Sequence, residues 1–574
     1  MTPAGRPGIP GAALVLLVAV ACVSAAPAVA QPARDPAVSI VGGLKGDEST
    51  YIAIAASLAA DGDLRFDARD YARFRRWYGS GPEGIFLKRD ATGQLRFGKA
   101  FVHGLLAAPF VRAFGLSGLL VLNAVLLLTA AAAGAWWASA GARTGPAVAF
   151  ACLFVGASVA PLYGAWLTSD LANFVLVFLA FVAGVSRGGT PVPGWRLAAA
   201  LTLLALATFS KPIVLPLAAP LVAANAGWRS RRALGLAAAY AALVALLFGA
   251  NAWITGEANY QGGARKTFYG RFPFDEQGGT FETTGIDLAT DTILTPVGDE
   301  GRAASVLANL EYFVAGRHFG LIPFGWTWLL VFAAWLTLER RKRPWQWLLA
   351  AALGGVALVT VVWMPYTWSG GGGPIGNRYF LSVAGAVFVL MPPIRSWRPA
   401  ALAAVGLAFL WPAYRHPFLA AKEPWLATRA PQFEWLPLEL TGASDFPVIL
   451  DQGRGRVPQG HDPQVYLALL DEDAGAAPDG WVAVAPGETT ELLVRAPLRL
   501  SSAVIGVRGR HPCTVAVASD AGRQVVAFDD TDRQDVELPL PQVFSRDSYV
   551  SVVRVDASAC HGGAEVAVQG RVAR

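Results

Sequence analysis

Eleven apolar runs, most of them close to the length a bilayer requires, set what this chain can fold into. The first covers residues 9–30. The others lie at 116–140, 146–164, 168–186, 195–210, 212–227, 233–254, 318–338, 345–366, 378–394 and 398–414. Composition agrees: 54% of the 574 residues are hydrophobic and only 15% are charged, against roughly a quarter charged in soluble domains. The expectation is therefore a polytopic α-helical membrane protein with about 11 transmembrane helices. The connectors at 141–145, 186–197, 228–233, 339–344 and 395–399 carry Arg143, Arg187, Arg196, Arg229, Arg231, Arg232, Arg340, Arg341, Lys342, Arg343, Arg395 and Arg398, with Glu339 as their one acid. Basic connectors stay inside. That places 31–115, 255–317 and the tail from about 415 outside, and it explains the net charge of +6 by orientation, with no nucleic-acid partner. Whether the first run is cleaved after Ala28-Val29-Ala30 or retained is open; its length favours retention.

The tail has a different pattern. Short alternating stretches, Trp481–Val484, Glu491–Val494, Ala503–Val507, Thr514–Ala518, Gln524–Phe528, Val536–Leu538, Tyr549–Val555 and Glu565–Val568, alternate with turn signals such as Pro486-Gly487. Such spacing predicts an extracytoplasmic β-sandwich over 480–574. An interfacial linker at 415–479 joins it to a membrane domain at 1–414. Cys513 and Cys560 share this tail, and in an oxidising compartment they are expected to pair.

The polar groups collect outside the spans. Gly46-Asp47-Glu48-Ser49-Thr50-Tyr51 opens the first loop, and Tyr51, Ile54, Ala55 and Leu58 fall on one face of an amphipathic helix expected to lie on the membrane. Lys99 sits late in that loop. Thr168-Ser169-Asp170 opens the fourth span, and Lys211 stands in a Ser-Lys-Pro turn that reads equally well as punctuation. A glycine-rich segment ends in Gly376-Asn377-Arg378-Tyr379-Phe380. Its glycines let backbone N–H groups approach a ligand, and an Arg fork suits a phosphate. The ordinary roles of these residues are helix capping for Asp47 and Asp170 and interfacial anchoring for Arg378 and Lys99. Six scattered histidines, no CxxC and no HExxH leave no legible metal site.

Taken in order on this topology, these motifs resemble the GT-C superfamily of integral-membrane glycosyltransferases, in particular bacterial members that use polyprenyl-phosphate sugars. The likeness rests on the Gly-Asp-Glu-Ser-Thr-Tyr opening, Asp61-Gly62-Asp63-Leu64, the Lys99 segment leading to Pro109, the Ser-Asp and Ser-Lys-Pro turns, and the late Gly-Asn-Arg-Tyr-Phe segment. It covers roughly residues 9–414. Ala100 and Phe101 follow Lys99 where many relatives have prolines. The resemblance implies an enzyme of the bacterial inner (plasma) membrane that moves a sugar from a polyprenyl-phosphate donor to an acceptor hydroxyl on a glycan, lipid or protein, with inversion. Asp47 would be the base with Glu48 beside it, Asp170 the second acid, and Lys99, Arg378, Asn377 and Tyr379 the donor-phosphate ligands. It leaves open a divalent metal, Mg²⁺ or Mn²⁺. A lipid-linked saccharide transporter or flippase would instead place charges at the bilayer midplane. A surface-polysaccharide polymerase or ligase would centre on the 255–317 loop, with Arg265, Lys266, Arg271 and Asp275.

Overall fold

The computed structural model describes residues 44 and 46–572, apart from 141, 228–229, 262–263, 276–277, 288–301, 372–374, 423, 447–455, 460–461, 470–480, 510–512, 529–532 and 547. The described residues divide into two compact units. One is drawn from the segments up to Thr290, Gly320–Val359 and Ile375–Lys422, the other from Asp291–Phe319, Thr360–Pro374 and Glu423–Arg574.

The eleven-span expectation is not met. Among the described residues three helices are long and apolar enough to cross a membrane, Val102–Ser139, Arg231–Thr255 and Pro344–Trp363. The run at 9–30 lies outside the described residues. Several other runs are broken or short. The run at 146–164 is helical only as far as Thr144–Gly156 and continues irregularly. The run at 378–394 is a helix Arg378–Ala384 followed by a 3-10 segment Gly385–Leu390. The run at 398–414 divides into Arg398–Ala404 and Gly406–Arg415. Hydropathy records that a side chain avoids water, and protein satisfies that as well as lipid does. Here protein does much of the covering: Phe150, Phe154, Phe178 and Phe388 are wholly buried, and the Phe154 and Phe178 rings each lie 4.9 Å from that of Phe388. Gly385 permits this packing, because a Cβ there would stand 2.6 Å from the Phe174 carbonyl oxygen.

The helix Gly46–Ala60 also differs from its expected place on a membrane surface. Tyr51, Ile52, Ala53, Ile54 and Ala55 are all buried, so the apolar residues do not form a single outward stripe. Small residues make that possible by letting neighbours approach: a Cβ on Gly104 would strike Ile54 of this helix. The helix also packs against a small antiparallel sheet of Glu83–Arg89, Leu95–Phe97, Lys266–Tyr269 and Ile286–Asp287. Thr50 Oγ1 accepts the Phe86 N–H at 3.0 Å, fixing helix against strand.

In the second unit the strands run from Arg456 to Val572 and form two antiparallel sheets. One centres on Thr489–Ala496 and Ser548–Asp556, the other on Leu500–Gly509 and Ala564–Val572. Leu492, Val494, Val515, Val517 and Val553 of the first share one apolar core with Ile505, Val507, Val536, Leu538 and Val566 of the second. A disulfide joins Cys513 and Cys560 across 47 residues, a loop whose closure is worth about 4 kcal/mol in the chain-entropy model. Within the same unit Glu439 Oε1 accepts the His318 and Phe319 N–H groups at 2.7 and 2.8 Å, and Glu491 is paired with Arg317 and Arg554.

Candidate functional site

Asp47, Lys99, Asp170 and Arg378, spread over more than 330 positions of sequence, meet in the first unit. Each is delivered by the end of an element. Asp47 lies in the first turn of Gly46–Ala60. Lys99 stands just before the helix Val102–Phe114, on a chain held by the Gly98 N–H donating to the Phe86 carbonyl at 2.8 Å. Asp170 and Arg378 are the first residues of the helices Asp170–Gly184 and Arg378–Ala384. Asn377 caps the latter, its Oδ1 accepting the Phe380 N–H at 2.8 Å. Gly376 turns the chain there with φ of 72° and passes so close to Val159 that a Cβ would sit 2.9 Å from it. Asn377 therefore sets the position of Arg378.

The Arg378 guanidinium is the bridge. Its Nε donates to Asp170 Oδ2 at 2.8 Å, and its Nη2 pairs with Asp47 Oδ2. On the outer sides, Lys99 Nζ lies 2.7 Å from Asp47 Oδ1, and Lys211 pairs with Asp170 Oδ1. Thr168 Oγ1 donates to Asp170 Oδ2 at 2.6 Å. Arg265 adds another cation, stacked at 5.2 Å on the Phe86 ring that Lys99 approaches at 4.6 Å. Four cations thus surround two carboxylates, and positive charge is in excess. Burial pushes the Asp47 carboxyl up, but Arg378 and Lys99 outweigh it and hold the group well below the usual carboxylate range. Burial pulls the Lys99 ammonium down; Asp47 opposes that, and Arg265 and Arg378 add to it.

The remaining sequence candidates take supporting places. Glu48 is buried, its Oε1 accepting the Leu167 N–H at 3.2 Å, so it positions the segment ahead of Asp170. The Tyr379 ring lies 5.7 Å from Lys211 Nζ. Sequence reasoning left several participants unassigned. Lys211 is a full partner of Asp170, and only its Ser-Lys-Pro setting pointed to it. Trp166 lies under Arg378, its ring centroid 4.8 Å from the guanidinium carbon. Ser169 donates to the Tyr51 hydroxyl at 2.9 Å, and His103 packs edge-on to the Tyr51 ring at 5.4 Å. Trp166 lies between two predicted spans and His103 just ahead of one, where no sequence signal separates a site residue from a packing one.

The donor set does not suit Mg²⁺ or Mn²⁺. Both oxygens of Asp47 and both of Asp170 already face a cationic side chain, and a hard dication needs several carboxylate or carbonyl oxygens of its own. Among the described residues no group of three His, Cys, Asp or Glu side chains is gathered closely enough to hold a metal ion. What the arrangement suits is an anion with several oxygens, which an Arg fork and two ammonium groups can share. Compared with known proteins, the chain matches no protein-family model and no curated protein sequence.

Proposed function

We propose that the protein is a membrane-bound glycosyltransferase that moves a sugar from a polyprenyl-phosphate donor to an acceptor hydroxyl on the extracytoplasmic face. The single observation that carries this reading is the Arg378 bridge between Asp47 and Asp170, flanked by Lys99 and Lys211. A site with surplus positive charge beside a carboxylate has the two parts that transfer from a phosphate ester needs: a cationic hold on the leaving group and a base for the attacking hydroxyl. The resemblance of the sequence motifs to GT-C glycosyltransferases supports the same assignment. The three apolar helices support a membrane setting, and the Cys513–Cys560 disulfide supports an oxidising one.

In this mechanism Arg378 and Lys99 take the donor phosphate. As they turn to it, Asp47 loses the charges that depress its carboxyl, while burial, which raises it, remains. Asp47 then becomes a competent base only when the donor is in place. It accepts the proton of the acceptor hydroxyl as that oxygen bonds to the anomeric carbon. The bond from that carbon to the phosphate oxygen breaks, and its electron pair leaves with the phosphate on Arg378 and Lys99. A single displacement inverts the anomeric centre. Asp170, with Lys211 and Thr168, holds the far side of Arg378.

The purified protein in lipid nanodiscs, given polyprenyl-phosphate-linked hexoses and pentoses with an envelope extract as acceptor, is expected to release free polyprenyl phosphate in an acceptor-dependent way, with or without a chelator. No release above a protein-free control with any of these donors would refute the reading.

A further inference from the structure

Tyr163 and Trp166 stand next to the bridge and are unexplained by it. Tyr163 is 1% exposed and Trp166 3%, yet the Tyr163 hydroxyl and the Trp166 indole N–H have no hydrogen-bond partner among the described residues. Buried polar groups are nearly always paired, because leaving one unpaired forfeits its hydration with no return. Looseness does not account for the omission. The segment is pinned on several sides: Asn123 Nδ2 donates to the Gly164 carbonyl at 2.9 Å, the Leu167 N–H donates to Glu48, and the Val159 N–H donates to the Phe324 carbonyl at 2.9 Å. The two rings are 5.5 Å apart. Trp166 carries Arg378 over its face, and Tyr163 packs against Trp166. Two rigid aromatic rings with polar tips, beside the cation that holds a phosphate, are what a sugar ring asks for: apolar faces for its C–H surface and donors for its hydroxyls.

We infer that Tyr163 and Trp166 recognise the glycosyl group of the donor, their unpaired O–H and N–H bonding its hydroxyls, and that they determine which sugar is accepted. This rests on the transferase reading and goes beyond it by naming residues that read the sugar apart from those that hold the phosphate. The same tips could instead bond the phosphate oxygens, and the test separates the two.

Binding to the protein in nanodiscs is measured for a polyprenyl monophosphate and for the same lipid carrying a hexose or a pentose, with wild type, Tyr163→Phe and Trp166→Phe. Wild type is expected to prefer one sugar-bearing lipid over the bare one. Tyr163→Phe is expected to keep its affinity for the bare lipid and lose about tenfold in that preference, the worth of one hydrogen bond of ordinary strength. Trp166→Phe, whose ring also underlies Arg378, is expected to lose at least as much of the preference whatever its affinity for the bare lipid. Tyr163→Phe removes only an unpaired hydroxyl, so its unfolding temperature without ligand is expected to equal or exceed that of wild type, which keeps the comparison sound. Equal losses for both lipids would overturn the inference in favour of a phosphate contact, and unchanged preference would overturn it outright. Wild type binding the bare lipid with no sugar preference would defeat this inference alone; wild type binding neither lipid would defeat the transferase reading with it.

Discussion

Asp47→Asn is expected to slow sugar transfer by about 10²–10⁴-fold, the usual cost of losing a positioned general base. The substitution keeps the shape of the side chain and leaves an amide oxygen for Lys99 or Arg378, so the helix Gly46–Ala60 still forms. What disappears is the negative charge and the ability to take a proton. With one carboxylate fewer among the cations, the site becomes more positive. The bare polyprenyl phosphate is therefore expected to bind as tightly as before or more tightly, so that kcat falls while donor affinity does not. A carboxylate that served only to neutralise Arg378 and Lys99 would behave differently: its loss would leave kcat near wild type. Steady-state kcat and KM beside direct lipid binding distinguish the two, and unchanged kcat would remove Asp47 from the mechanism.

Arg378 offers the second large effect. Both carboxylates depend on its planar fork, Asp170 through Nε and Asp47 through Nη2. An ammonium is a single point charge and cannot address two acids from one stem in the same way. Arg378→Lys is expected to fold but to lose transfer by about 10²-fold or more, in line with removal of a donor that stabilises developing charge. Arg378→Ala goes further. Asp170 is wholly buried, and it would keep Lys211 alone as its ion-pair partner. Breaking a buried ion pair from one side costs about 3–5 kcal/mol, enough to show as a markedly lower unfolding temperature. Transfer by Arg378→Lys at the wild-type rate would contradict the bridge as the phosphate holder.

The contrast between what the sequence revealed and what it concealed has a physical origin. Asp47, Lys99, Asp170 and Arg378 were legible because charge is conspicuous beside apolar runs, and ionised groups near an apolar interior are retained only with partners. Lys211 is half legible: its charge stands out beside apolar runs, but nothing in Ser210-Lys211-Pro212 says that it will reach Asp170. Tyr163 and Trp166 were concealed, because a hydropathy pattern scores them among their apolar neighbours and is blind to the polar tips. The run at 146–164 shows the same blindness on the scale of the fold. Its composition fits a span, yet its helix ends at Gly156, and the Val159 N–H is then satisfied by the Phe324 carbonyl, 165 positions away in sequence and so not predictable from local pattern. The strands of the second unit were easier to find because alternation is a local property: Cys513 and Val515 are buried while Thr514 between them is exposed. The disulfide followed from two cysteines sharing that segment.

The most direct test of the central claim is where a lipid phosphate comes to rest. A cryo-electron-microscopy structure of the protein in nanodiscs with a polyprenyl monophosphate should show the phosphate within hydrogen-bond distance of Arg378 and Lys99, with Asp47 released from at least one of them and facing the space an acceptor hydroxyl would occupy. Phosphate density elsewhere, with the Asp47–Arg378–Asp170 bridge intact, would contradict the account and leave these residues a structural ion-pair cluster.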